Sequence, residues 1–212
     1  MLTFAAMSTT WFDSIRDKQR IVFAGAEGCE TMAAIMAHVM DHHHRAYDLV
    51  IGDKLVKSGA DASVALIVAP DLAEADGQAA FLKYGHHIGV ITSIQYHHQP
   101  GFSSDDEYIR QYDQFADATP KGGLLAYCEQ DPIASVLCNK ERVDVQYIPF
   151  KPHAHVEERG SNYLITSNKD KLKVNLQDNG DWLWAGGAKE VLKKIGITSE
   201  QFYQSIPGFR EP

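Results

Sequence analysis

A chain of 212 residues, 44% hydrophobic and 23% charged, is the size and make-up of one globular domain that buries its own core. Its net charge of −8, with no long Lys/Arg run, excludes generic nucleic-acid and anionic-membrane binding, which rely on clustered positive charge. Three cysteines, Cys29, Cys128 and Cys138, make no disulfide framework, so a reducing cytoplasm is expected, and no apolar run reaches the length of a membrane span.

Residues 1–19 read as an N-terminal extension. Met1 to Met7 is mildly apolar but lacks the basic region of a signal peptide, and Met7 is an alternative start. Residues 20–212 read as one domain. Ile21 to Gly25 is a short apolar run ending in glycine, the pattern of a buried strand. Met32, Ile35, Met36, Val39 and Met40 then form a helical stripe. Tyr47–Ile51, Val64–Val68 and Ile88–Thr92 are further buried strands. Ser104 to Glu107 reads as a capping box opening a helix with Tyr108, Tyr112 and Phe115 on one face. Leu124–Tyr127 is a strand, and Asp131-Pro132 starts a helix. This alternation predicts a mostly parallel sheet covered on both faces. Past Lys140 the pattern changes. Val143–Phe150, Tyr163–Thr166 and Leu172–Leu176 read as strands without an intervening long helix, predicting an antiparallel addition. Helices over Lys189–Ile195 and Ser199–Ile206 close the chain, the second with Thr198 and Gln201 as a capping box.

The stretch from Ile21 to Thr31 has the shape of a phosphate-binding loop: strand, glycine-bearing turn, helix start. Gly25 and Gly28 would let backbone N–H groups cradle an anion. Cys29, however, stands where such a loop carries its phosphate-binding lysine, and Glu30 where it carries the Mg²⁺-holding hydroxyl. A carboxylate there repels phosphate. Cys29 at a helix start reads either as a reactive thiolate or as a small buried hydrophobe, the latter being commoner. The paired histidines, His86-His87, His97-His98 and His153-x-His155, offer one ligand per pair on a given strand face. A metal site could be built from His98 with His97, Asp71 or Glu74. His42 to His44 read as solvated capping of a helix C-terminus. Trp182, Trp184, Phe202, Tyr203 and Phe209 fit either a partner surface or helix-to-sheet core packing.

The order of these motifs resembles the central, ATP-binding domain of the Mur ligases, which join an amino acid or peptide to a UDP-muramyl precursor of peptidoglycan. The resemblance runs from about Arg20 to Phe209 and is strongest to the muramate–alanine and muropeptide-recycling branches. Ala24 to Thr31 sits where the family has Gly-Thr-x-Gly-Lys-Thr/Ser-Thr. Val90 to His98 sits where it has Thr-Asn-x-x-x-Asp-His, and Lys121 to Pro132 where a strand ends in Asn-x-Asp-Asp-Pro. Gly180 to Ile197, then Ile206 to Arg210, match the late helix, the Leu-Gly-Ile turn and the closing segment. The resemblance implies a doubly wound α/β fold, ATP and Mg²⁺ as cofactors, and amide formation through an acyl phosphate. It leaves Gly25, Gly28, Cys29, Glu30, Thr31 and Asp131 as the remnant of a nucleotide site, and His98 as the one retained metal ligand. Against the family pattern, Ser93 replaces asparagine and His97 aspartate. The metal-binding glutamate falls at Ala69, Cys128 and Gln130 replace the asparagine and first acid near the nucleotide, and Trp182 to Trp184 replace the polar part of the late helix motif. The length leaves no room for the family's two outer domains.

The expectation is therefore a Mur-ligase-like central domain with a small late antiparallel element. It has no confident catalytic residue and acts by binding a ligand, a protein partner or a second copy, with neither nucleic acid nor membrane insertion. Two alternatives stand beside it: an ATP-dependent amide-forming ligase subunit completed by separate domains, and a histidine-based metalloprotein.

Overall fold

A computed structural model of the chain describes residues 9–95, 101–140 and 142–211. Seven strands, β1 (Gln19–Ala24), β2 (Asp48–Ile51), β3 (Lys54–Lys57), β4 (Val64–Val68), β5 (Ile88–Ile91), β6 (Leu124–Cys128) and β7 (Gln146–Phe150), form one sheet. Their order is β3-β2-β4-β1-β5-β6-β7. All pairs are parallel except the β2–β3 hairpin. A separate antiparallel sheet holds β8 (His155–Glu158), β9 (Ser161–Ile165) and β10 (Lys171–Val174). The helices are α1 (Thr9–Ile15), α2 (Cys29–His42), α3 (Asp105–Asp117), α4 (Pro132–Cys138), α5 (Asn179–Lys194) and α6 (Ser199–Ser205).

The central strands are continuous apolar runs because both of their faces are covered. Alternate side chains go to opposite cores. Ile21, Phe23, Leu66 and Val68 pack with α2, α5 and α6; Val22, Ala24, Ala65 and Ile67 pack with α3 and α4. Central β1 has β4 on one side and β5 on the other. The chain thus leaves β1 in one direction and later crosses to its other side, which opens a crevice at the carboxyl ends of these strands.

The mainly parallel sheet and the late antiparallel element agree with the sequence expectation, with several differences in detail. Asp178 caps α5, accepting from the Asp181 N–H, so this helix begins ten residues before the Lys189 start read from periodicity and takes in the stretch from Gly180 that the family resemblance assigned to the late helix. Glycines at 186 and 187 weaken the helical signal, but they are required by packing. A Cβ at Gly186 would lie 2.0 Å from the Lys151 carbonyl oxygen, and one at Gly187 would lie 2.9 Å from the Phe150 ring. β7, read as part of the antiparallel addition, instead pairs in parallel with β6 at the edge of the main sheet, and it starts at Gln146 rather than Val143, since 143–145 form the preceding turn and Val143 is fully exposed. β3 and β8 are short and polar and carry no clear period. Ser104 accepts from the Glu107 N–H, yet the Glu107 carboxylate reaches Ser103 instead of closing the reciprocal box. The Thr198–Gln201 box is complete. His43 is not merely solvated: its Nε2 meets the Gln201 carbonyl at 2.8 Å and ties α2 to α6. Within residues 1–19, α1 carries the fully buried Ile15.

His86 is a buried titratable group of this frame. Its Nε2 meets Thr119 Oγ1 at 2.9 Å and its ring lies 4.1 Å from that of Phe115. Burial, with smaller contributions from His87 and Arg20, pushes its pKa from 6.5 down to about 4. The unfolded chain takes up a proton that the folded chain refuses. Stability is therefore intact above pH 6.5 and falls as pH drops toward 4, by about 3 kcal/mol at most. Urea unfolding across this window should lose most of that slope in a His86→Gln variant, and an unchanged slope would remove His86 from the account.

Candidate functional site

The turn between β1 and α2 lies in the crevice, wedged between its neighbours. A Cβ at Gly25 would fall 2.0 Å from Thr92 Oγ1. At Gly28, where φ is +79°, it would fall 2.1 Å from the Trp184 indole. Ser93 holds the turn twice: its carbonyl accepts from the Ala26 N–H (3.2 Å) and its hydroxyl from the Glu27 N–H (3.0 Å). The N–H groups of Gly28, Cys29 and Glu30 open α2 and have no hydrogen-bond partner among the described residues. Ser93 was noted in the sequence only as a replacement. Its clamp on the turn is set by strand register, which composition does not reveal.

Cys29 points inward. Its Sγ lies 3.2 Å from Thr92 Oγ1 and 3.5 Å from the Gly25 carbonyl. Burial pushes its thiol pKa up to about 12, with Asp71 and Glu30 adding to the rise against the Thr92 hydrogen bond. The reactive-thiolate reading is thereby corrected: burial and two carboxylates outweigh the helix dipole. Glu30 is exposed at the helix start, and the Thr31 hydroxyl donates to Glu211 at 3.2 Å. Asp131 caps α4, accepting from Ile133 and Ala134 through one oxygen and from the Ile94 N–H through the other at 2.6 Å. Its carboxylate thus joins the end of β5 to α4.

Two clefts flank the turn. One, of about 440 Å³, runs from the turn to the end of β4 and carries Glu27, Glu30 and Asp71. The other, of about 490 Å³, lies between β5, β6 and α5, with Glu27 and Asp131 beside Ile133, Leu183 and Trp184. Among the described residues, neither lining contains a lysine, arginine or histidine. Asp71 accepts hydrogen bonds from Tyr108 (2.6 Å) and Tyr112 (2.9 Å), and burial raises the pKa of both phenols. This bracket fixes Asp71 at the floor of the first cleft, beside the buried Ala69. Tyr108 and Tyr112 appeared in the sequence only as a helix stripe.

His97 and His98 lie outside the described residues. Among those described, no group of three His, Cys, Asp or Glu side chains is arranged to hold a metal. Glu74 pairs with Lys83 at 3.2 Å. Trp182, Trp184, Phe202 and Phe209 are buried and Tyr203 is half-buried, which selects core packing from the two readings of these aromatics. No described helix is long and apolar enough to cross a membrane.

All three cysteines are buried, and burial raises each thiol pKa. None should react with a thiol reagent at pH 8 in the native protein, and all three should react after unfolding in urea. Gly28→Ala should destabilise by about 1–3 kcal/mol in urea unfolding, with part of the loss recovered when Trp184 is truncated in the same chain. Equal losses in both backgrounds would show that the backbone conformation alone sets the cost.

No family model matches the chain. In sequence it is similar to the UDP-N-acetylmuramate–L-alanine ligase of Mycobacterium leprae, 31% identical over 121 residues, 57% of this chain and 24% of that protein. The corresponding ligase of Desulfatibacillum aliphaticivorans is 32% identical over 159 residues, 74% of this chain and 31% of that protein. In fold it is similar to the UDP-N-acetylmuramate:L-alanyl-gamma-D-glutamyl-meso-diaminopimelate ligase from Neisseria meningitides, with a TM-score of 0.76 at 14% identity, over 95% of this chain and 70% of that one. The MurF ligase from Thermotoga maritima in complex with ADP gives a TM-score of 0.74 at 11% identity, over 100% of this chain and 54% of that one. The chain spans between about a quarter and a third of the length of these curated sequence relatives. Related in sequence to the muramate–alanine ligases of peptidoglycan synthesis and folded as the corresponding part of the Mur ligases, the chain is a Mur ligase central domain.

Proposed function

We propose that this domain has lost the family's phosphoryl-transfer chemistry and acts by binding, either a ligand in the old nucleotide crevice or a protein partner, including a second copy of the chain. The observation that carries this reading is the charge of the crevice. Glu27, Glu30, Asp71 and Asp131 line its two clefts, with no cationic side chain among the described lining residues. Phosphoryl transfer depends on positioning and on neutralising the charge that builds up in the transition state. Here the lysine position holds a buried, protonated thiol, and the next position holds a carboxylate. These residues do not fit a Mg²⁺–polyphosphate as the family resemblance implies. A neutral or cationic group suits the crevice better than ATP.

The alternative is an ATP-dependent, amide-forming ligase subunit working with separate domains on a muramyl-type acceptor. It is favoured by the turn itself, which keeps Gly25, Gly28 and Thr31, and by the unpaired N–H groups of residues 28–30, which suit an anion. A histidine-based metalloprotein is the weaker reading, since its ligands would have to come largely from outside the described residues.

Calorimetric titration of the tag-free chain with ATP, with and without Mg²⁺, should detect no binding up to millimolar nucleotide. Micromolar, Mg²⁺-dependent binding would overturn the proposal and bring the ligase reading forward.

A further inference from the structure

A second cleft lies away from the nucleotide crevice, where β7 runs into the small sheet and meets α5 and α6. Its volume is about 360 Å³, within the range of small-molecule pockets. Its walls carry two lysines, Lys151 and Lys189, against one carboxylate, Glu190. That carboxylate is shared between two lysines, one of them outside the cleft. Glu190 lies 2.7 Å from Lys193 but 3.7 Å from Lys189, and Lys151 has no ion-pair partner among the described residues. Lys189 is largely buried, its side chain 15% exposed, with its ammonium 5.5 Å from the centre of the Tyr203 ring.

The hydrogen bonds of the cleft leave donors over. His153 Nδ1 faces the Ala154 carbonyl at 3.1 Å, so that nitrogen carries the proton and Nε2 accepts. Burial and the Lys189 ammonium, opposed by the Ala154 hydrogen bond, keep this ring below its usual pKa and therefore neutral. Tyr203 donates to His153 Nε2 at 3.2 Å and in turn accepts from Ser167 at 3.3 Å. Thr166 Oγ1 accepts from the Asp170 N–H, so its own proton is free. The groups left to meet a ligand are two ammoniums and a hydroxyl proton, and all of them seek an acceptor. The rest of the wall is apolar, from Phe150, Ile165 and the Tyr203 ring.

We propose that this cleft binds a small organic monoanion, a carboxylate with an apolar body, its charged end held by Lys189, Lys151 and Thr166. A single negative charge matches the excess of one cation, and the apolar body covers the Phe150–Ile165–Tyr203 wall. The site does not depend on the fate of the nucleotide crevice. Its walls are rigid where Gly186 of α5 packs on the Lys151 carbonyl.

Sodium benzoate is a suitable probe, titrated at constant ionic strength while amide shifts of the full chain are followed by NMR. Saturable shifts at Thr166, Ser167 and Gly186 are expected, with half-saturation around millimolar. Lys189→Met should weaken them about tenfold, in line with loss of a charge-assisted hydrogen bond, and Lys189→Arg should retain them. The arginine variant keeps the test decisive if the methionine variant folds poorly. Shifts that rise linearly without saturation, or saturate equally in Lys189→Met, would overturn the proposal. Saturation by inorganic phosphate in preference to benzoate would overturn the carboxylate assignment.

Discussion

Steric fit at the β1–α2 turn governs the carboxyl edge of the sheet. Neither Gly25 nor Gly28 has room for a single added carbon, because Thr92 fills the space on one side and the Trp184 indole fills it on the other. Ser93 completes the clamp by taking two turn amides. Trp184 on Gly28 sets where α5 lies across the crevice. Within about the next turn and a half, the same helix brings Gly186 onto the Lys151 carbonyl and Lys189 over Tyr203. The cleft at Leu183 and Trp184 and the cleft at Gly186, Lys189 and Glu190 thus both lie along α5, although nothing in their linings is shared.

Their chemistry differs in sign. The crevice around the turn is acidic, and the cleft beyond α5 has an excess of positive charge in a chain whose net charge is −8. A local field of this kind decides what each cleft tolerates more strongly than the net charge does, because charges facing a cavity are less screened than those on an open surface. The same inward packing explains why Cys29 is inert. A helix start favours a thiolate only when solvent or a cation can stabilise it, and Thr92 with the Gly25 carbonyl offers neither.

Much of the fold was legible because the central strands are buried on both faces and so read as unbroken apolar runs such as Val64–Val68. Legibility failed where tertiary contact outweighed local preference. The start of α5 was hidden from periodicity, though not from the family resemblance, by glycines that let backbones touch, and β3 and β8 were hidden by their polar, edge-like composition. At the site, the turn and its substitutions were visible from residue order. The roles of Ser93, of the Tyr108–Asp71–Tyr112 bracket and of the Asp131 bond to the Ile94 N–H were not, because each depends on the register between segments far apart in the chain, whereas Asp131 as a helix cap was read from the Asp-Pro pair. Burial of Trp182 and Trp184 was one of two readings the sequence allowed, and only packing could choose between them.

The position of β1 has a consequence for how the domain assembles. This strand pairs with 64–68 and with 88–91, and not with β2, the strand that follows it along the chain. Its hydrogen bonds close only after long stretches of chain have been drawn together, an entropic cost that local helices do not meet. Folding should then be slow and all-or-none at the centre of the sheet. A nascent chain that ends before residue 88 would hold β1 with one flank bare, leaving an apolar edge open to wrong partners until β5 arrives.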